Sequence, residues 1–249
     1  METSRYLERL AIDHARLAEV AASGLAEKVP TCPDWSVEDL TRHVAQVYLH
    51  KVACMRTGSA PQAWPPDLSG ESPLDLLDRA YAELRGEFAT RSPGSPAYTW
   101  YEPDQTVAFW IRRMAQETVV HRVDAELAAG TSIADIPDDL AHDGIDEMLR
   151  VMLAYGIRRW PEGFAEVLPD SALRVLVTTG EQSWLLGLDA TGATVEPGSA
   201  DQPVHTTISG APQELLLWLW RRTPDHAVRR TGDRHAADTF RAVLGAATQ

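Results

Sequence analysis

A helical stripe that opens on Trp and Met and then turns to Glu, His and Asp leaves a chain few ways to fold. Residues Ala108 to Gly130 carry one: Trp110, Met114, Glu117, His121, Asp124 and Ala128 recur at steps of three and four. At about 3.6 residues per turn these side chains share one face of a helix. Facing inward, an ionised carboxylate costs several kcal/mol unless something compensates it, roughly the penalty of any buried charge. Two readings satisfy that requirement. Glu117 and His121 form a buried pair with each other, or they hold one cation, since Glu and His one turn apart can bite the same ion.

The rest of the chain supplies the partners. Thr3 to about Glu27 reads as a first helix with Tyr6, Leu10, Leu17 and Val20 on its stripe. Pro30 and Pro33 stiffen a connector that ends in Ser36-Val-Glu-Asp39, a capping box with Asp in the place of the commoner Glu. Trp35 is expected to pack as the residue before the cap. The second helix, about Val37 to Arg56, carries Val37, Leu40, Val44, Val47 and Tyr48, with His43 beside Leu40 and Val47. His50, and more weakly His14, are spare candidates. A long Pro-, Gly- and Ser-rich loop covers Gly58 to Ser72, and Ser72-Pro73 opens a third helix that runs to about Thr90. Four amphipathic helices specify an up-and-down bundle. With helices two and four facing each other, His43, Glu117 and His121 come together as three ligands, leaving one coordination position for water or substrate.

Beyond a fifth helix, about Pro137 to Trp160, the texture changes. Ala172 to Thr179 alternates like a half-buried strand, Gly180-Glu-Gln turns, and Ser183 to Leu188 follows as a second strand. Val195 and Val204 to Ser209 suggest two more. Ala211 to Arg222 and about His235 to Leu244 read as helices, and Thr231-Gly-Asp as a turn. The fold class is α+β, with a helical bundle over residues 1–165 and a small α+β domain over 166–249.

Charge and cysteine content narrow the function. The net charge of −13 opposes binding to a phosphate backbone, which Lys and Arg would have to neutralise. Lys28 and Lys51 are the only lysines. Cys32 and Cys54 make neither a disulfide framework nor a thiolate zinc site, so a metal must rest on His and carboxylates. No run of about 18 apolar residues predicts a membrane span, and Met1 to Arg9 lack the apolar core of a signal peptide. The expectation is a cytoplasmic protein, monomer or homodimer, that binds neither nucleic acid nor membrane.

Three segments resemble the mycothiol-dependent maleylpyruvate isomerase family. Val29-Pro-Thr-Cys-Pro-Asp-Trp-Ser-Val-Glu-Asp-Leu-Thr-Arg-His43 is similar to the entry into that family's first metal-binding helix. Arg113-Met-Ala-Gln-Glu117-Thr-Val-Val-His121-Arg-Val-Asp-Ala-Glu126 is similar to its second. Leu215-Leu-Leu-Trp-Leu-Trp-Arg-Arg222, followed by Thr231-Gly-Asp233, resembles the end of its small C-terminal domain of the sterol-carrier-protein-like kind. The resemblance implies a DinB-like four-helix bundle holding Zn2+ through His43, Glu117 and His121. It also implies mycothiol as thiol cofactor, in a cleft between the bundle and the C-terminal domain. Arg222 would clamp a substrate carboxylate. Gln116 and Arg221 depart from the family pattern, Arg221 standing where a small residue is expected.

The expected function is a zinc-dependent enzyme using a low-molecular-weight thiol for cis-trans isomerisation of a small, electron-poor carboxylic substrate, or for S-transfer to it. The thiol adds to a cis double bond, the resulting single bond rotates, and expulsion of the thiol leaves the trans isomer. Two rivals remain. One is a zinc hydrolase or amidase that uses no thiol, with Asp124 or Glu126 as base. The other is a non-catalytic binding protein whose metal braces the bundle, with His50 or Asp124 as fourth ligand. Cys32, His205 and His226 are lesser candidates, the two histidines as lining of the cleft.

Overall fold

The computed structural model describes residues 1–248. Contacts divide the chain into two units, one from Met1 to Ala134 and one starting at Asp135.

The first unit is a bundle of four helices: α1 (Thr3–Ala22), α2 (Val37–Thr57), α3 (Pro73–Thr90) and α4 (Val107–Ala128). The start signals work as read. The Ser36 hydroxyl accepts from the Asp39 backbone N–H while the Asp39 carboxylate accepts from the Ser36 N–H at 2.9 Å, closing the capping box of α2. Ser72 caps α3, with Pro73 in its first turn, and Gly58 ends α2 in the left-handed conformation.

The helix directions differ from the alternating order expected. Arg122 and Arg16 reach Asp13 and Glu126, so α1 and α4 run parallel. Arg42 bonds the Glu71 carbonyl just before α3, and Arg56 bonds Glu87 near its end, so α2 and α3 also run parallel. His43 meets Glu117 while Lys51 meets Trp110, so α2 and α4 are antiparallel. The bundle therefore runs up, down, down, up. Its cause is the loop from Gly58 to Ser72, which at about 3.3 Å per residue can span the roughly 30 Å of α2 and return the chain to the same end. A tight turn would have forced reversal.

Helix α4 is the central element. From Val107 to Glu126 almost every residue is buried, on all faces rather than along one stripe. Its polar side chains are therefore paired. Tyr48 donates to the Thr118 hydroxyl at 2.6 Å, and Thr118 donates in turn to the Met114 carbonyl. On the side facing α1, the fully buried Arg122 donates to Asp13, to Glu126 at 2.7 Å and to the Ala134 carbonyl.

The second unit begins with α5 (Asp138–Glu147), which continues through a π-helical stretch, Met148–Tyr155, into α6 (Gly156–Arg159). The sequence reading ran the first domain to residue 165, but α5 packs on α7 (Pro212–Leu219) and the π-helical stretch packs on β3, both in the second unit. Five strands follow in the order β3-β2-β1-β4-β5: β1 (Leu173–Thr178), β2 (Ser183–Asp189), β3 (Gly192–Pro197), β4 (Thr206–Ser209) and β5 (Arg229–Gly232). All neighbours are antiparallel except β1 and β4. Helix α8 (Arg234–Ala247) packs on β1, β4 and β5. Thr231 and Gly232, expected as a turn, end the edge strand β5, and Asp233 caps α8. That strand shows no apolar alternation because most of its residues are exposed.

Candidate metal centre

Three of the predicted site residues meet where α2 crosses α4. His43 Nε2 lies 3.3 Å from Glu117 Oε1, and His121 Nε2 lies 3.2 Å from the same oxygen. One donor atom from each of the three lies within 4.8 Å of the others. In a tetrahedral zinc site with bonds of 2.0–2.1 Å, ligand atoms stand about 3.3 Å apart. The donor set of two imidazoles and one carboxylate thus converges at ligand spacing, and it fits a divalent cation of the zinc type.

The surrounding groups fix which atoms face the cation. His121 Nδ1 donates to Asp124 Oδ2 at 2.9 Å, and Asp124 Oδ1 accepts from the Thr31 hydroxyl at 2.6 Å. That carboxylate holds the ring so that Nε2 points to the centre, the arrangement by which carboxylates orient metal-binding histidines. Arg113 donates to Glu117 Oε2 at 2.8 Å, leaving Oε1 for the metal. The Trp35 ring packs against His43 with centroids 4.8 Å apart, and the His43 and His121 rings meet edge to face at 5.0 Å. Exposure decides where a fourth ligand enters. The side chain of His43 is 34% exposed, against 17% for Glu117 and 11% for His121. Solvent therefore reaches the three residues from the His43 side.

Electrostatics agree with a cation at this point. Burial disfavours charge on Glu117, yet His121, His43 and Arg113 outweigh it and hold the carboxyl well below its usual range. Burial also opposes charge on His121, but Glu117 and Asp124 raise it to about 9.

Other sequence candidates lie elsewhere. His50 is bonded to Lys51 at 3.3 Å and lies 3.5 Å from Cys54 Sγ, away from the triad. Asp124 stands behind His121, on its Nδ1, rather than among the three converging donor atoms. Glu126 is paired with Arg16 and Arg122 on the α1 side. His14 is buried, stacked on Tyr81 with centroids 3.8 Å apart. His205 accepts from the Arg174 N–H. Together with His235, it lines a cavity of about 510 Å³ beside the start of α8. Arg222 belongs to the second unit and donates to the Trp220 carbonyl at 2.7 Å. Before it, Arg221 takes a left-handed φ of 62°. The Arg222 N–H reaches the Leu217 carbonyl and the Arg221 N–H that of Trp218, a Schellman end to α7. The backbone thus takes the shape that a small residue would favour, although an arginine occupies the position. Arg113 and Thr31 were missed in the sequence. Arg113 stands four before Glu117 and was legible on that ground, whereas Thr31 reaches Asp124 only through the fold of the connector.

A model of the mycothiol maleylpyruvate isomerase N-terminal domain matches residues 7–126, and the MDMPI C-terminal domain model matches residues 139–239. Among solved structures, a mycothiol-dependent maleylpyruvate isomerase is similar at a TM-score of 0.65 and 15% identity, covering 93% of each chain. A histidine-to-alanine mutant of a mycothiol-dependent maleylpyruvate isomerase gives 0.63 and 12%, again over 93% of each chain. These structures share the fold with this chain. No curated protein matches it by sequence. With both family models matched in order along nearly its whole length, the chain belongs to the mycothiol-dependent maleylpyruvate isomerase family.

Proposed function

We propose that this protein is a zinc- and mycothiol-dependent enzyme that isomerises a small, electron-poor cis carboxylic acid, or transfers the thiol to such a substrate. The observation that carries the reading is the convergence of His43 Nε2, Glu117 Oε1 and His121 Nε2 with an open side at His43. Zinc held there would make a thiol ionise near neutral pH and would polarise a substrate carbonyl. The chain's own residues prepare that chemistry. Asp124 keeps the His121 proton on Nδ1, so Nε2 stays available. Arg113 binds the second Glu117 oxygen, so the carboxylate offers one atom and leaves room for a further ligand. Arg222, its backbone fixed by the end of α7, is proposed to take a substrate carboxylate through a pair of hydrogen bonds.

The hydrolase alternative needs a carboxylate base. Asp124 is held by His121 and Thr31, and Glu126 by two arginines, so neither is available as one. The deciding experiment measures metal by elemental analysis in wild type and in His43→Ala, Glu117→Ala and His121→Ala. It also assays loaded wild type on maleylpyruvate with and without mycothiol. About one zinc per chain, lost in each variant, together with thiol-dependent turnover, is expected. Turnover that ignores the thiol would return the hydrolase.

A further inference from the structure

Where α2 packs on α4 there is a second cation that the triad does not explain. Lys51 stands two turns beyond His43 on α2, and Trp110 two turns before Glu117 on α4. The Lys51 ammonium lies over the Trp110 ring, 4.8 Å from its centroid, and its hydrogen-bond partner is His50 Nδ1 at 3.3 Å. Among the described residues it makes no ion pair. A half-buried ammonium backed by an indole and one imidazole nitrogen is under-compensated, because a cation–π contact offsets only part of the lost hydration. The neighbouring cation differs: Arg113 has Glu117.

Charge around the three residues sharpens the point. Glu117 and Asp124 supply two negative charges, and Arg113 and Lys51 two positive ones. A divalent metal then leaves the site doubly positive, in a chain whose net charge is −13. Ionised thiol on the metal removes one of those charges. A carboxylate would remove the other.

We infer that Lys51 is a specificity-determining residue, and that its ammonium, positioned by the Trp110 ring behind it, forms an anion subsite for a carboxylate of the substrate. The inference rests on the proposed function and goes beyond it by naming where one end of the acid sits. By helix rise, Lys51 is roughly 12 Å along α2 from His43, and its own side chain shortens that gap. A small organic acid can bridge the remainder, one end at the metal and one at the ammonium. Burial pushes the Lys51 ammonium below its ordinary pKa while Glu117 pulls it back, and a carboxylate bound there would add to that pull.

The test is calorimetric binding of maleate to the zinc-loaded full-length protein without thiol, for wild type, Lys51→Met and Lys51→Arg, with zinc content and melting temperature recorded for each. Lys51→Met keeps the length and apolar stem and removes only the charge. The expected result is a tenfold or greater loss of maleate affinity in Lys51→Met, recovery in Lys51→Arg, and unchanged zinc content. Maleate affinity within threefold of wild type in Lys51→Met would overturn the inference, and so would wild type that binds no maleate. The two readings separate cleanly. Wild type that binds maleate through Lys51 but turns over nothing with mycothiol would sink the proposed function and keep the subsite. Thiol-dependent turnover with a silent Lys51→Met would do the reverse.

Discussion

At the residue scale, the arrangement of His43, Glu117 and His121 depends on groups that stand behind the three. Asp124 is fully buried and sets the His121 tautomer. Replacing it with Asn keeps the shape but lets the side-chain amide point the wrong way. Zinc affinity should fall about 10- to 100-fold, the range typical of such supporting partners, measured by competition with a chelating dye. His14 gives a pH signature of its own. Burial holds it neutral, down to a pKa of about 4 against 6.5 for the exposed side chain, with Asp78 opposing the shift. The unfolded chain therefore takes up this proton below about pH 6.5 while the native chain does not until about pH 4. The stability associated with His14 is full above pH 6.5 and falls as pH drops. Between pH 7 and 5 the loss should be about 2 kcal/mol. Urea unfolding of chelator-treated protein should show this loss in wild type, and His14→Phe should lack it.

At the scale of elements, the helix ends were the most legible part of the chain. Ser36 with Asp39, and Ser72 with Pro73, marked their boundaries because capping is chemistry between residues three apart. The end of α7 was harder to read, because an arginine stands in the left-handed position where glycine is at ease. Arg221→Gly should relieve that strain and stabilise the protein by about 1 kcal/mol, seen as a rise of about 2–4 °C in melting temperature. No change would mean that the Arg221 guanidinium, which lies against Gly245, compensates the backbone. The edge strand β5 and the direction of α3 stayed hidden for a different reason. An exposed edge strand needs no apolar pattern, and a long loop permits either direction until packing selects one.

At the scale of the whole molecule, the triad is contained in the first unit, on α2 and α4. A cation held there would tie two helices that are far apart in sequence, since any ligand that binds only the native state stabilises it by mass action. Removing zinc with a chelator should raise amide exchange in α2 and α4 much more than in strands β1 and β2. Hydrogen exchange followed by mass spectrometry reads that directly. Equal loosening of the sheet would show that the two units share one cooperative transition. No helix among the described residues is long and apolar enough to cross a membrane.

What the amino-acid sequence determined by itself is what short-range chemistry controls. It set the four bundle helices, the caps of α2 and α3, four of the five strands, and the three residues that converge between α2 and α4. His121 and Glu117 were readable as a pair because one helix turn separates them, whereas His43 joined them only on the expectation that helices two and four face each other. The tertiary structure alone decided the rest. It turned α3 parallel to α2, placed α5 with the sheet, brought Thr31 behind Asp124, and left Lys51 with no ion pair among the described residues. Each of these depends on which surfaces meet across the chain, and burial and charge pairing are defined only once those surfaces have met.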